Sequence, residues 1–267
     1  MSKTWIVTVL ALLLASPAHA KANFDQLFAG RDGCFEIYDL KAKKLLVRYN
    51  PSRCAKRVSP ASTFKVPLAL MAFDAGILKD EKSSMKWDGV KTNRPEWNRD
   101  QTAASWMKNS VVWFSQRLTP KLGMRRVKSY LARFRYGNKD MSGGLTQAWL
   151  QSSLLISPDE QLRFWRQFWR EELPVSKHAY VMTKKITLVG TSPAGWTLHG
   201  KTGSSAMVEN GRLIRGLGWF VGHVARGNRE YVFVTCYSDR APPSDMRPPG
   251  WVAREIATKA LTQMGLY

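Results

Sequence analysis

Strand-like patterning in this chain is confined to its two ends. Near the start, "FEIYDL" and "KLLVRYN" read as two strands around a turn at Lys41-Ala42-Lys43. Near the finish, "GLGWFVGHVARGNREYVFVTCYSD" reads as two more, joined at Arg226-Gly227-Asn228. Between them lie helical segments: "ASWMKNSVVWFSQRLTPKLG", "MRRVKSYLARFRYG" and "SPDEQLRFWRQFWREEL". The last of these opens with Ser157 as cap, Pro158 at the first helical position and Glu160 behind it. "PPGWVAREIATKALTQMGLY" adds a C-terminal helix after a Pro-Pro-Gly break. The terminal strands are expected to share one sheet. The expected fold class is α/β of the α+β type: an antiparallel sheet flanked by terminal helices, plus a helical subdomain, with a cleft between them. The sheet subdomain is expected over about 21–60 and 190–267, the helical one over about 61–189.

Residues 1–20, "MSKTWIVTVLALLLASPAHA", have the form of a cleaved signal peptide. Lys3 precedes a short apolar run, and Ala18-His19-Ala20 is a small-x-small cleavage pattern. The run is shorter than a bilayer span, so we expect an exported, periplasmic protein without membrane insertion. The remaining 247 residues are enough for one catalytic domain and carry a net charge of +20. Such a balance suggests nucleic acid, but the basic residues are scattered and export removes most such partners. The reading preferred is no nucleic-acid partner, weak association with anionic envelope components, and some steering of anionic substrates. Cys34 and Cys54 lie at the outer ends of the first hairpin, where an oxidising location allows but does not require a disulfide. Cys236, in a strand-like run, reads as a core thiol. His178, His199 and His223 show no metal-ligand spacing, and no metal is expected.

Chemistry is signalled by serine and lysine. Ser-x-x-Lys occurs three times, at Ser62/Lys65, Ser83/Lys86 and Ser105/Lys108; chance supplies roughly one in a chain of this size, so three is near what chance allows and spacing alone does not choose among them. A serine needs a nearby base to become a nucleophile, and a lysine is a base only where desolvation strips its proton. Ser83/Lys86 lies in the charged "KDEKSSMKWDG", and Lys108 falls on the wet face of an amphipathic helix. Only Ser62/Lys65 runs into a stretch apolar on nearly every face, "VPLALMAFDAGIL". A second motif, Lys201-Thr202-Gly203, precedes the long strand pair on or beside an edge strand, where Gly203 would allow a ligand to approach closely. A third, Ser110-Val111-Val112, lies between the two.

Ser-x-x-Lys on a buried helix, a middle serine and a late Lys-Thr-Gly together resemble the penicillin-recognising serine enzymes, whose known signature this is. The middle Ser-x-Val, Tyr136-Gly137-Asn138, Trp149 and "GWFVG" narrow the resemblance to the class D β-lactamases, the oxacillinases, across the whole mature chain. The resemblance implies a β-lactamase/transpeptidase-like fold, β-lactam substrates, a monomer or homodimer, and no cofactor other than carbon dioxide. Ser62 would be the acylated nucleophile. Lys65, carboxylated on its amine, would be the general base, with Val112 excluding water and Trp149 donating to the carbamate. Ser110 would pass a proton to the leaving nitrogen. Lys201 and Thr202 would take the substrate carboxylate, and the backbone N–H groups of Ser62 and Ser204 the oxyanion. A further arginine anchor, Arg247 or Arg254, is left open by the sequence. The rivals are a D,D-peptidase, against which Val112 in place of an Asn speaks, and a β-lactam sensor that stays acylated.

Overall fold

The computed structural model describes residues 22–209, 212–243 and 245–267; the signal-peptide reading of 1–20 lies outside them. After a short helix α1 (Phe24–Leu27), β1 (Arg31–Asp39) and β2 (Lys44–Tyr49) form the first hairpin. Helices α2 (Pro51–Ala55) and α3 (Lys65–Asp74) follow, then a two-residue ladder of β3 (Ser84–Met85) and β4 (Gln101–Thr102). The helical half continues with α4 (Ala103–Asn109), α5 (Val112–Leu122), α6 (Met124–Arg133), α7 (Pro158–Trp169) and α8 (Lys177–Ile186). The chain then returns through β5 (Leu188–Thr191), β6 (Thr197–Glu209), β7 (Arg212–Arg226) and β8 (Arg229–Asp239) to α9 (Pro249–Gln263). The main sheet is antiparallel throughout, in the order β2-β1-β8-β7-β6-β5, so the last strand pairs with the first hairpin.

The central strands of the sheet are buried on both faces, which is why "YVFV" in β8 is continuously apolar instead of alternating. Phe35, Ile37, Phe220 and Phe233 on one face meet Val252, Ile256 and Ala260 of α9. Trp219, Val221, Val232 and Val234 on the other face the helical half. There α3 is buried from Lys65 to Phe73, as its all-round apolar sequence demands. Cys34 and Cys54 are joined in a disulfide that ties α2, on the approach to α3, to β1. Cys236 is a free, buried thiol raised to about 11 by burial. Among the described residues one group of Cys, His and carboxylate atoms is close enough to share an ion, Cys34, Glu36 and Cys54; its two sulfurs are bonded to each other.

One helical expectation is corrected. "ASWMKNSVVWFSQRLTPKLG" is not one helix but two, broken at Ser110, which has left-handed φ/ψ of 59° and 38°. A continuous helix would bury or expose Ser110 according to its period; the break frees its hydroxyl to point across to β6.

Candidate active site

Ser62 lies in a single 3₁₀ turn, Ala61–Phe64, that runs directly into α3. In a 3₁₀ turn residues i and i+3 eclipse, so Lys65 stands beneath Ser62 and its Nζ donates to Ser62 Oγ at 3.1 Å. Lys65 is 1% exposed. Burial first, then the cations of Lys201 and Arg94, hold its amine well below the ordinary lysine value. The other two pairs differ. Lys86 is exposed and bound to Asp100 at 2.7 Å, and Ser83 Oγ caps a turn by accepting from Lys79 and Asp80 N–H. Ser105 Oγ closes the capping box of α4, and Lys108 is exposed at the rim of the cleft.

The turn at Ser62 is fastened from three sides. Ser59 Oγ donates to Trp149 O at 2.8 Å and accepts from Gln151 N–H at 3.1 Å, while Trp219 Nε1 donates to Ser59 O at 2.9 Å. Sequence reasoning missed Ser59, because its partners lie 90 and 160 residues away. Gly203 packs here as well. A Cβ on it would come within 3.1 Å of Pro60 O and 3.1 Å of Thr63 Cγ2. Gly203 therefore permits a close approach to the chain's own Ser62 turn.

Lys201 approaches from β6, beyond the last pairing with the edge strand β5 at His199. Its Nζ donates to Ser110 Oγ at 3.0 Å, to Thr202 O at 2.9 Å and to Thr202 Oγ1 at 3.3 Å. Burial, then Arg94, lowers it to about 7. One cleft is lined by Ser62, Ser110, Val112, Thr202 and Ser204, so residues from three distant stretches converge. Ser204 Oγ also accepts from Gly250 N–H at 2.8 Å, which clips the start of α9 to β6. The cleft wall includes three residues the sequence reading did not single out, Arg94, Trp97 and Trp251.

Trp149 is fully buried and stacks on Phe64, the neighbour of Lys65, at 5.1 Å between ring centroids. Its indole N–H has no acceptor, a state it shares with Trp165 and Trp169. Those of Trp97, Trp106, Trp113 and Trp219 all find one. Tyr136-Gly137-Asn138 is architecture. Asn138 clamps the 153–155 segment through Ser153 O at 2.7 Å and Leu155 N–H at 3.0 Å. Gly137 has φ of 52°, and a Cβ there would strike Leu155 O. Arg247 and Arg254 are not in this cleft: Arg247 is held by Asp245 and Glu255, and Arg254 is exposed above Phe220.

A serine over a buried lysine, faced by a second serine–lysine pair across a sheet edge, defines a serine acyl-transfer enzyme of the penicillin-recognising class. Residues 18–262 match the family model described as the penicillin binding protein transpeptidase domain. Over 241 residues the chain is 39% identical to β-lactamase OXA-1 of Escherichia coli, covering 86% of each chain. The solved class D β-lactamase BAT-2 superposes with a TM-score of 0.84 at 37% identity, covering 94% of this chain and 99% of that one. The C-terminal domain of the Bacillus licheniformis BlaR penicillin receptor superposes with a TM-score of 0.84 at 31% identity, covering 92% and 96%. This chain belongs to the class D β-lactamase family.

Proposed function

We propose that the chain hydrolyses β-lactams through an acyl-enzyme on Ser62, with Lys65 carboxylated on Nζ as the general base. Hydrolysis of β-lactams is what its class D relatives support. The observation that carries the finer reading is the pairing of a desolvated Lys65 amine, 3.1 Å from Ser62 Oγ, with a buried, unpartnered Trp149 N–H packed on the adjacent Phe64. A neutral amine can add carbon dioxide, and a buried anion needs a donor; Trp149 offers one. When present, the carbamate supplies the base that accepts the Ser62 proton and later activates water.

The remaining steps fall to the chain's own groups. Ser62 Oγ attacks the β-lactam carbonyl, and the ring C–N bond breaks. Ser110 Oγ, accepting from Lys201, is set to pass a proton to the departing nitrogen. The Ser62 N–H lies in the first turn of its helix, where it has no intrahelical acceptor, and with the Ser204 N–H it would receive the oxyanion. Lys201 and Thr202 take the substrate carboxylate. Val112, on the cleft wall, excludes water. We further propose that the protein is exported to the periplasm, supported by residues 1–20 and by the Cys34–Cys54 bond. Association with anionic envelope components is supported by the exposed Arg125, Arg126 and Lys128 of α6. Among the described residues no helix is long and apolar enough to cross a membrane.

The likeness to a penicillin receptor favours a second reading, acylation without turnover. Hydrolysis of a chromogenic cephalosporin decides: sustained multiple turnover, with a brief adduct on Ser62 by mass spectrometry, is expected, and one stoichiometric burst would favour the sensor. For Lys65, activity should fall in acidic, bicarbonate-depleted buffer and return with bicarbonate, alongside a carbamate signal in ¹³C NMR. Trp149→Phe should raise the bicarbonate needed for half-maximal activity roughly 10-fold, the scale of one lost buried donor. Full turnover without carbon dioxide and without that signal would sink the carbamate.

A further inference from the structure

Among the described residues two cations line the cleft beside Ser62, Lys108 at its rim and an arginine from an unexpected element. Neither C-terminal arginine lines it; Arg94 does, from the loop that precedes α4. That loop is built, not loose. Asn98 Oδ1 accepts from Thr92 N–H at 2.8 Å and from Thr92 Oγ1 at 3.0 Å, and Asn98 Nδ2 donates to Thr92 O at 3.0 Å. Trp97 Nε1 reaches Asn109 O at 2.9 Å, one residue before Ser110, and Trp113 Nε1 reaches Trp97 O at 3.0 Å. The Arg94 guanidinium lies over the Trp97 ring, 5.1 Å from its centroid, with its side chain 35% exposed. Among the described residues it meets one carboxylate, Glu96, at a loose 3.9 Å, and Glu96 lines the same cleft.

We propose that Arg94 is the carboxylate anchor of this enzyme: together with Lys201 and Thr202 it receives the carboxylate of an anionic β-lactam, in place of an arginine from the C-terminal helix. The proposal rests on the β-lactamase reading of the site. A guanidinium offers a planar fork that fits a carboxylate with two hydrogen bonds. Stacked on Trp97 in a braced loop, it is already ordered, so little side-chain freedom is lost on binding. Its present partner is a competitor of the same chemistry, a carboxylate too distant for a good hydrogen bond, which an incoming substrate displaces. After burial, the Arg94 charge also helps to depress Lys65 and Lys201. The cleft therefore carries an excess of positive charge that a substrate anion relieves.

The test compares a penicillin bearing its free carboxylate with the methyl ester of the same compound. Arg94→Ala should raise KM for the free acid about 10-fold, the scale of one hydrogen-bonded ion contact, and leave the ester's KM unchanged; any change in kcat that follows from its charge on Lys65 and Lys201 should be the same for acid and ester. Arg94→Lys should restore part of the loss, a point charge without the fork. Glu96→Gln should act in the opposite direction, lowering KM for the acid but not for the ester. Arg254→Ala, outside the cleft, should do nothing. Equal shifts for acid and ester, or no shift for the acid, would overturn the assignment. Should Arg94→Ala fail to fold, Glu96→Gln alone decides, an unchanged KM for the acid counting against it. Absence of a Ser62 adduct in the native enzyme would defeat the reading of the site itself; a Ser62 adduct with Arg94-insensitive KM would defeat this inference only.

Discussion

Two serine–lysine contacts meet in the cleft at nearly equal length, Ser62–Lys65 at 3.1 Å and Ser110–Lys201 at 3.0 Å. Their construction is opposite. The first is local, three residues apart on a 3₁₀ turn that becomes α3, with the lysine enclosed by apolar helix. The second spans 91 residues and joins a helix break in one half of the molecule to a strand in the other. Among the described residues Lys65 reaches one acceptor, Ser62 Oγ, whereas Lys201 also donates to Thr202 O and Thr202 Oγ1. Burial lowers both amines; Lys201 comes to about 7, and Lys65, with the Lys201 and Arg94 cations added to its burial, is held well below the ordinary lysine value. The same contact thus yields two kinds of lysine. One is deprived of partners and available for covalent chemistry, and one is supplied with acceptors and suited to hold a charge.

Substitutions can break this contrast, and their expected effects are graded. Lys65→Ala should be the most damaging, slowing deacylation by about 10³-fold or more, as loss of a general base does; a trapped Ser62 adduct in mass spectra would report it. Ser110→Ala should leave deacylation largely intact and slow acylation by roughly 10²-fold, measured as the single-turnover rate. Equal losses in both steps for both variants would erase the division of labour.

The lysines also differ from ordinary residues in stability. The unfolded chain holds a proton on Lys201 up to about pH 10.5, the folded chain only up to about 7. The native state is therefore penalised as pH falls from 10.5 to 7, and fully so below 7. Lys201→Met should raise the melting temperature at pH 7 by roughly 4–8 °C, the shift that ~2 kcal/mol makes in a chain of this length, while abolishing activity. The gain should fade as pH approaches 10.5. The smallest effect is expected two residues earlier on the same strand. Burial first, then His223, lowers His199 to about 4, so its unfolded form gains a proton near 6.5 before the folded form does. Stability contributed by neutral His199 is present above 6.5 and lost as pH falls toward 4. His199→Leu should flatten that limb in melting curves taken from pH 7 to 4.

Much of this was legible along the chain. The all-round apolar run after Lys65 sufficed to separate Ser62/Lys65 from its two lookalikes, because burial of a helix is written in its own residues. The capping box at Ser157 and the turn at Arg226-Gly227-Asn228 lie where local chemistry places them. Other features were not legible. Ser110 sits within an uninterrupted helical pattern, so neither its left-handed φ nor its contact with Lys201, 91 residues away, is marked locally. The packing of Gly203 against Pro60 and Thr63 joins stretches about 140 residues apart and has no local sign. Arg94 and Trp97 lie at a lone 3₁₀ turn, Pro95–Trp97, in a long connection without hydrophobic periodicity, so nothing local marks them as part of the cleft.

The sequence by itself determined that one serine sits over one desolvated lysine, and that the chain carries a hairpin near each end with helices between. These depend on helical period, hydrophobic continuity and hairpin turns, all short-range properties. Only the tertiary structure decided which hydroxyl faces Lys201, which backbone Ser59 fastens, and that the cleft's arginine comes from the loop before α4. Those pairings are made between residues tens to hundreds of positions apart, where packing of the two halves, not any local pattern, selects the partner.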